Sequence, residues 1–196
     1  MEGDRFAHVA NLYRWLASRP MSTPTPPSPW ITTGPFRAAG ALGLGRFSLS
    51  TVAIVHLAAP WFMVGLIWTI HTVHYPLFAE VGSDAYIGFQ AAHLERIGPL
   101  LALPWLLEGV SAAALLLASD RGIRRSAFVG AIAMAVVLVI SGFWSAPAHG
   151  ELTDGFDAAV HGRLMDANLV RTLAWTVRGV VAVDIIRRVL RLRTPQ

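Results

Sequence analysis

The sequence predicts an all-α integral membrane protein, a four-helix bundle with both termini cytoplasmic and short interfacial helices in its outer loops. Three observations lead there. Of 196 residues, 54% are hydrophobic and only 14% charged, against about 25% charged in an ordinary soluble domain. The apolar residues gather in four long runs, near 51–73, 99–118, 126–146 and 168–190. Each run supplies the roughly 20 residues that a hydrocarbon layer about 30 Å thick demands of a helix. The arginines, finally, collect on one side of this pattern and the acids on the other.

Residues 1–48 read as a cytoplasmic leader and residues 49–192 as the membrane domain. Phe6, Val9, Leu12, Tyr13 and Leu16 suggest a short surface helix, but Glu2, Asp4 and the lack of a long apolar core do not suit a signal peptide. Pro20, Pro24, Pro26, Pro27, Pro29 and Pro35 exclude helix from the stretch that follows, so an extended and largely disordered linker is expected. Pro60 and Pro104 fall inside spans and should kink them, whereas Pro99 suits the first turn of the second helix. Between the first two spans, Ile87, Ala91, Leu94 and Ile97 recur at helical spacing behind Ser83 or Asp84 as a cap. A separate interfacial helix is expected there, and a second one between Phe156 and Leu164, capped by Asp154. Small residues (Ala58, Ala59 and Gly65; Gly109, Ala112 and Ala113; Gly130, Ala131 and Ala133) mark expected close helix contacts.

Arginine placement sets the orientation. Arg37 and Arg46 precede the first span, Arg121, Arg124 and Arg125 occupy the second-to-third turn, and Arg187, Arg188, Arg191 and Arg193 form the tail. The other two loops are acidic, with Glu80, Asp84 and Glu95 against Arg96, then Glu151, Asp154, Asp157 and Asp166 against Arg163. The chain is therefore expected to be multi-pass in the cell membrane with its longer loops outside.

Composition also removes several chemistries. Without cysteine there are no disulfides, thiolate metal sites or cysteine nucleophiles. All 16 basic residues are arginine, which excludes Schiff-base lysines and a phosphate-loop lysine. The net charge of +4 does not point to nucleic acid, because the arginines flank apolar runs and no recognition motif accompanies them. The expected partner is the lipid bilayer.

Five of seven histidines, His71, His74, His93, His149 and His161, belong to the outer half. His71 and His74 stand one α-helical turn apart at the end of the first span. Neutral imidazole is the commonest metal ligand, suiting copper, iron and zinc, and Glu80, Glu95, Glu151, Asp154 and Asp157 are nearby carboxylates. His71, His74, His93, His149 and His161 are the candidate metal ligands. The bland alternative is that these imidazoles only sit at headgroup level, since no His-Glu-x-x-His or Glu-x-x-His pattern orders them. The cofactor stays open between copper, iron, haem and none.

Glu108 and Arg178 each lie about ten residues from the outer ends of their spans, at similar depth near the midplane. A lone charge there costs on the order of 2.5–3.5 kcal/mol, so an ion pair between them is expected, with register as its purely structural role. Asn168 and Arg171, near the outer end of the last span, would face the histidines, while Asp184 should pair with Arg187 or Arg188. Trp68, Trp144 and Trp175 are expected in an interfacial aromatic belt.

The stretches His71-Thr72-Val73-His74-Tyr75-Pro76-Leu77-Phe78 and Asn168-Leu169-Val170-Arg171-Thr172, in a four-helix layout, resemble the anthrone-oxygenase-like family of small membrane proteins. The resemblance covers about residues 50–190 and carries over Asn168, Arg171 and Thr172 alone. His71, His74 and the Pro147-x-His149 element look like those of a bacterial subgroup. Some members oxygenate polyketide anthrones, so the resemblance implies an oxygenase-type role.

Two functional expectations follow. One is a membrane oxidoreductase or oxygenase acting on an apolar aromatic or quinone-like substrate at the outer interface. His71, His74 and His161 would then bind a metal or move protons, and Asn168 and Arg171 would hold an oxygen anion or carbonyl. The other is a non-enzymatic membrane subunit that binds a metal or small molecule within an oligomer or a larger complex.

Overall fold

The computed structural model describes residues 48–192, and these are all-helical, with no strand. The leader helix, the proline-rich linker, His8, Arg37, Arg46 and Arg193 lie outside the described residues. Helix α1 (Leu49–Thr69) opens on Ser48, whose hydroxyl accepts from Thr51 N at 3.2 Å. It runs into a wide π turn at Ile70–His74 and then a 3-10 segment, Pro76–Glu80. Helix α2 spans Ser83–Leu116. Asp120 caps α3 (Arg121–Ile140) by accepting from Ile123 N at 2.8 Å. A second π turn, Ser141–Ser145, leads into the short α4 (Ala146–Glu151). Asp157 caps α5 (Ala158–Arg191), accepting from Val160 N at 2.8 Å.

Three of these helical rods are long and apolar enough to cross a membrane: Leu49–Glu80, Ser83–Leu116 and Arg121–Asp154. Helix α5 is as long as α2, at 34 residues, but Arg171, Arg178 and Asp184 interrupt its apolar run. Composition alone does not make it a span. Helix α5 packs against α1 and α3, and α1 against α2.

The separate interfacial helices expected in the outer loops are absent among the described residues. The Asp84–Ile97 segment is the first half of α2, and most of the Phe156–Leu164 segment is the start of α5, capped by Asp157 rather than Asp154. Pro99, expected at a helix start, lies inside α2 with Pro104. A proline strains the residue before it partly through that residue's Cβ. Gly98 has none, which eases the step into Pro99, although helix also continues through Pro60 after Ala59 and Pro104 after Leu103. A 34-residue helix is about 50 Å long, some 20 Å more than a hydrocarbon layer needs.

Outward faces are apolar: Phe62, Leu103, Leu106, Phe128, Ile132 and Phe143 are exposed. A soluble protein rarely shows such continuous apolar surface, and a lipid-facing one requires it. Inside, Met63, Ile67, Phe78, Tyr86, Leu164 and Trp175 form one core cluster, and Ala53, Leu115, Ile123, Ala127 and Ile185 a second nearer the arginine-rich end. Of the expected small-residue contacts, Ala59, Ala112, Gly130 and Ala133 are buried, while Gly65 and Gly109 have open space where a side chain would stand. Helix α5 approaches α1 closely at Gly179, where a Cβ would lie 3.2 Å from Val64 and 3.4 Å from Trp61. Trp68 and Trp144 are exposed as a belt needs, but Trp175 is fully buried. Its indole sits between Arg171 and Glu108, so it belongs to the core.

Candidate functional site

The polar groups at the end opposite the α2–α3 turn converge where the two π turns lie. A π turn closes at i+5 and is frequent at functional sites. In this chain Tyr75 directly follows the first, and His149 lies four residues beyond the second. Counted from the ends nearest the α2–α3 turn, His93 and Asn168 each stand roughly 35 Å along their helices.

His149 is the centre of the cluster. Gln90 Nε2 donates to the His149 carbonyl at 3.1 Å and reaches its Nδ1 at 3.2 Å. That carbonyl fixes which end of the Gln90 amide faces His149, so Nδ1 is an acceptor and the proton stands on Nε2. His149 Nε2 then donates to the Tyr75 hydroxyl oxygen at 2.9 Å. The Arg171 guanidinium faces the same hydroxyl. The phenol oxygen therefore accepts from His149 beside a guanidinium, which leaves the phenol's own proton to be given elsewhere.

His93 stacks beside His149, with ring centroids 5.1 Å apart, and shares a hydrogen bond with His74 from Nδ1 to Nε2 at 3.0 Å. His161 Nε2 donates to the Tyr75 carbonyl at 2.8 Å, which ties the start of α5 to the first π turn. Phe78 separates the imidazoles, meeting His74 edge-on at 5.3 Å and stacking on His161 at 6.1 Å.

Helix α5 brings Leu164, Asn168, Arg171, Thr172, Trp175 and Arg178 to one buried stripe, at the i+3 and i+4 steps of a core face. Asn168 is 0% exposed, yet neither its amide oxygen nor its amide nitrogen finds a partner among the described residues. Arg171 Nε, His93 Nε2, Gln90 Oε1 and Ser145 Oγ are buried and unpartnered in the same sense. Arg171 also lies 5.7 Å over the Trp175 ring, a cation–π contact.

A second polar group lies deeper. Arg178 Nη2 stands 3.1 Å from Glu108 Oε2, and Arg178 Nη1 donates to the Gly130 carbonyl at 2.6 Å. Trp175 Nε1 donates to Glu108 at 3.3 Å, and His56 bonds the Ser111 hydroxyl at 2.9 Å. Nearer the arginine-rich end, Asp184 pairs with Arg188 at 2.6 Å.

Of the sequence-predicted residues, His74, His93, His149 and Arg171 gather round Tyr75. Asn168 lies on the same buried face of α5 as Arg171. His161 touches Tyr75 only through the backbone, across Phe78. His71 stands apart, its ring 6.3 Å from Trp68 and its Nδ1 buried without a partner among the described residues. In the widened turn three residues no longer complete nearly a full circle, so His71 and His74 do not share a face. Among the described residues, no three His, Asp or Glu side chains stand where they could hold a metal ion. His74 Nε2 and His93 Nδ1 are bonded to each other, and both His149 nitrogens are taken by Gln90 and Tyr75. As arranged, the donor set does not fit a metal.

Tyr75 and Gln90 were not singled out from sequence. Their signal was available: Gln90 is a lone amide on the apolar face of the Ile87–Leu94 pattern, and Tyr75 lies between His74 and Pro76. No family model, no curated protein and no solved structure matches the chain.

Proposed function

We propose that the chain is a four-helix bundle of the cell membrane, multi-pass with both termini cytoplasmic. Its outer end would carry an acid–base site that oxidises an apolar aromatic or quinone-like substrate. The charge distribution supports the orientation: Arg121, Arg124, Arg125, Arg187, Arg188 and Arg191 face only Asp120 and Asp184 at one end, while the acids dominate the other. The buried partners of Arg171 and Arg178 support α5 as the fourth span, since intramembrane charges turn inward and pair.

The functional reading rests on Asn168. Each buried polar group left unsatisfied costs about 1–3 kcal/mol, and Asn168 carries two beside Arg171. An oxygen atom of a bound substrate would accept from Asn168 Nδ2 and Arg171 Nε, as in an oxyanion hole. A substrate hydroxyl would be needed to donate to Asn168 Oδ1. His93 Nε2 is the unpartnered ring nitrogen suited to taking a proton, and Tyr75 is the hydroxyl suited to giving one. The aromatic surroundings, Phe78, Phe89 and Trp175, suit a flat ring.

By the resemblance to anthrone oxygenases, a methylene flanked by aromatic rings would lose a proton to an imidazole. Its enolate oxygen would be held by Asn168 and Arg171. Dioxygen is the oxidant: two C–H bonds break, one oxygen atom becomes the new carbonyl, and the other leaves as water. No step is routed through a metal, because among the described residues no three His, Asp or Glu side chains stand where they could hold one.

Purified protein in mild detergent, supplied with anthrone and air, should consume oxygen as quinone absorbance rises. Asn168→Ala and Arg171→Gln should each lower the rate about 10²-fold, the loss typical of an oxyanion donor. Equal rates in wild type and both variants would refute the assignment. The alternative, a non-enzymatic subunit binding a small molecule, draws on the apolar surface of α3 and the π turn after it, where Phe128, Ile132, Val136 and Phe143 are exposed and a partner helix could lie. A stable co-purifying subunit with no oxygen uptake would favour it.

A further inference from the structure

We infer that the turn between α2 and α3 carries a binding groove for the headgroup of an anionic phospholipid. The inference depends on the membrane reading of the helices and not on the chemistry proposed for the outer site.

Leu116, Arg121, Arg124, Arg125, Phe128 and Val129 line a groove of about 620 Å³ at this end of the molecule. The arginines are not equivalent. Arg124 Nη1 donates to the carbonyls of Ala118 and Ser119, at 3.0 and 3.1 Å, and so stiffens the turn. Arg188 is held by Asp184, which also accepts from Ser126 at 2.6 Å. Asp120 is committed to capping α3. Arg121 and Arg125 make no ion pair among the described residues and are exposed. They stand at i and i+4, so their side chains emerge on one face of the first turns of α3.

Two unneutralised guanidiniums side by side repel each other unless an anion sits between them, and a phosphodiester accepts from two such forks at once. Beneath them Phe128 and Val129 are exposed, about one turn beyond Arg125 and two beyond Arg121 along the same helix toward the membrane interior. A free phosphate would use the arginines and leave that apolar floor bare. A phospholipid uses both, with its headgroup at Arg121 and Arg125 and its acyl chains along Phe128 and Val129. Charge complementarity and continuity with the lipid-facing surface therefore select an anionic lipid as the occupant.

The test is the melting temperature of the full chain in neutral detergent, titrated with phosphatidylglycerol and, separately, phosphatidylcholine. Wild type should be stabilised by phosphatidylglycerol more than by phosphatidylcholine, and inorganic phosphate should not reproduce the shift. Arg121→Gln/Arg125→Gln should lose most of the phosphatidylglycerol shift, while Arg96→Gln, at the opposite end, should keep it. An undiminished shift in the double variant, or an equal one from phosphatidylcholine or free phosphate, would overturn the inference. If the double variant does not fold, the wild-type shift decides. It should shrink as salt rises toward about 0.5 M, where exposed charges are screened, and a salt-independent shift would refute the site.

Discussion

Replacing Glu108 by leucine should destabilise the protein far more than replacing Glu108 and Arg178 together. The two side chains are 0% and 1% exposed, with Arg178 Nη2 3.1 Å from Glu108 Oε2. In Glu108→Leu the guanidinium keeps its bond to the Gly130 carbonyl but loses its counter-ion, and Trp175 Nε1 loses its acceptor. An uncompensated buried charge costs about 3–5 kcal/mol, and the orphaned indole N–H adds about 1 kcal/mol. In Glu108→Leu/Arg178→Met no charge is left behind. Exchanging a buried ion pair for apolar groups of similar volume is often neutral or stabilising, and only the Gly130 carbonyl and the indole lose partners. The double variant should therefore lie within about 2 kcal/mol of wild type, with a coupling between the sites of at least about 2 kcal/mol. Unfolding by sodium dodecyl sulfate in mixed micelles, followed by helical circular dichroism, measures all three proteins and Arg178→Met. A Glu108→Leu variant within about 1 kcal/mol of wild type, or a double variant no better than the single, would show that the pair is not the desolvated contact described.

Asn168→Leu should leave stability unchanged or raise it by about 1–3 kcal/mol, because it removes two unsatisfied groups, while oxygen uptake with anthrone is lost. A destabilised variant would mean that Asn168 already has partners. Gly179→Val should cost about 1–3 kcal/mol by overpacking against Val64 and Trp61, read from the same unfolding curve, whereas the same change at Gly65, which has open space, should be tolerated. The absence of cysteine makes single-thiol topology mapping clean. Ser83→Cys should react with a membrane-impermeant maleimide on intact cells and Ser119→Cys only after permeabilisation; the reverse would invert the proposed orientation.

Much of the scaffold was legible in the sequence because it depends on local properties. Apolar run length marked four spans, of which three are long and apolar enough to cross a membrane, and depth counting set Glu108 level with Arg178. The spacing of Asn168, Arg171 and Arg178 along α5 is a helical face whatever surrounds it. The site was less legible. Residues 84–97 and 156–164 are not detached interfacial helices but the beginnings of α2 and α5, which run on without a break and carry Gln90, His93 and His161. Gly98, by easing the step into Pro99, is the residue that should have warned of this. The π turn defeated the pairing of His71 with His74, since α-helical periodicity assigns both to one face.

By itself, then, the sequence determined the membrane character of the chain, the reach of its helices and the segregation of arginine to one end. Those follow from transfer free energy and rise per residue, which each segment carries alone. Only the tertiary structure decided that Tyr75, Gln90, His74, His93, His149 and Arg171 meet while His71 does not. Contact between rings on separate helices depends on how each rod is rotated and shifted against its neighbours. Many core side chains set that jointly, and no single segment encodes it.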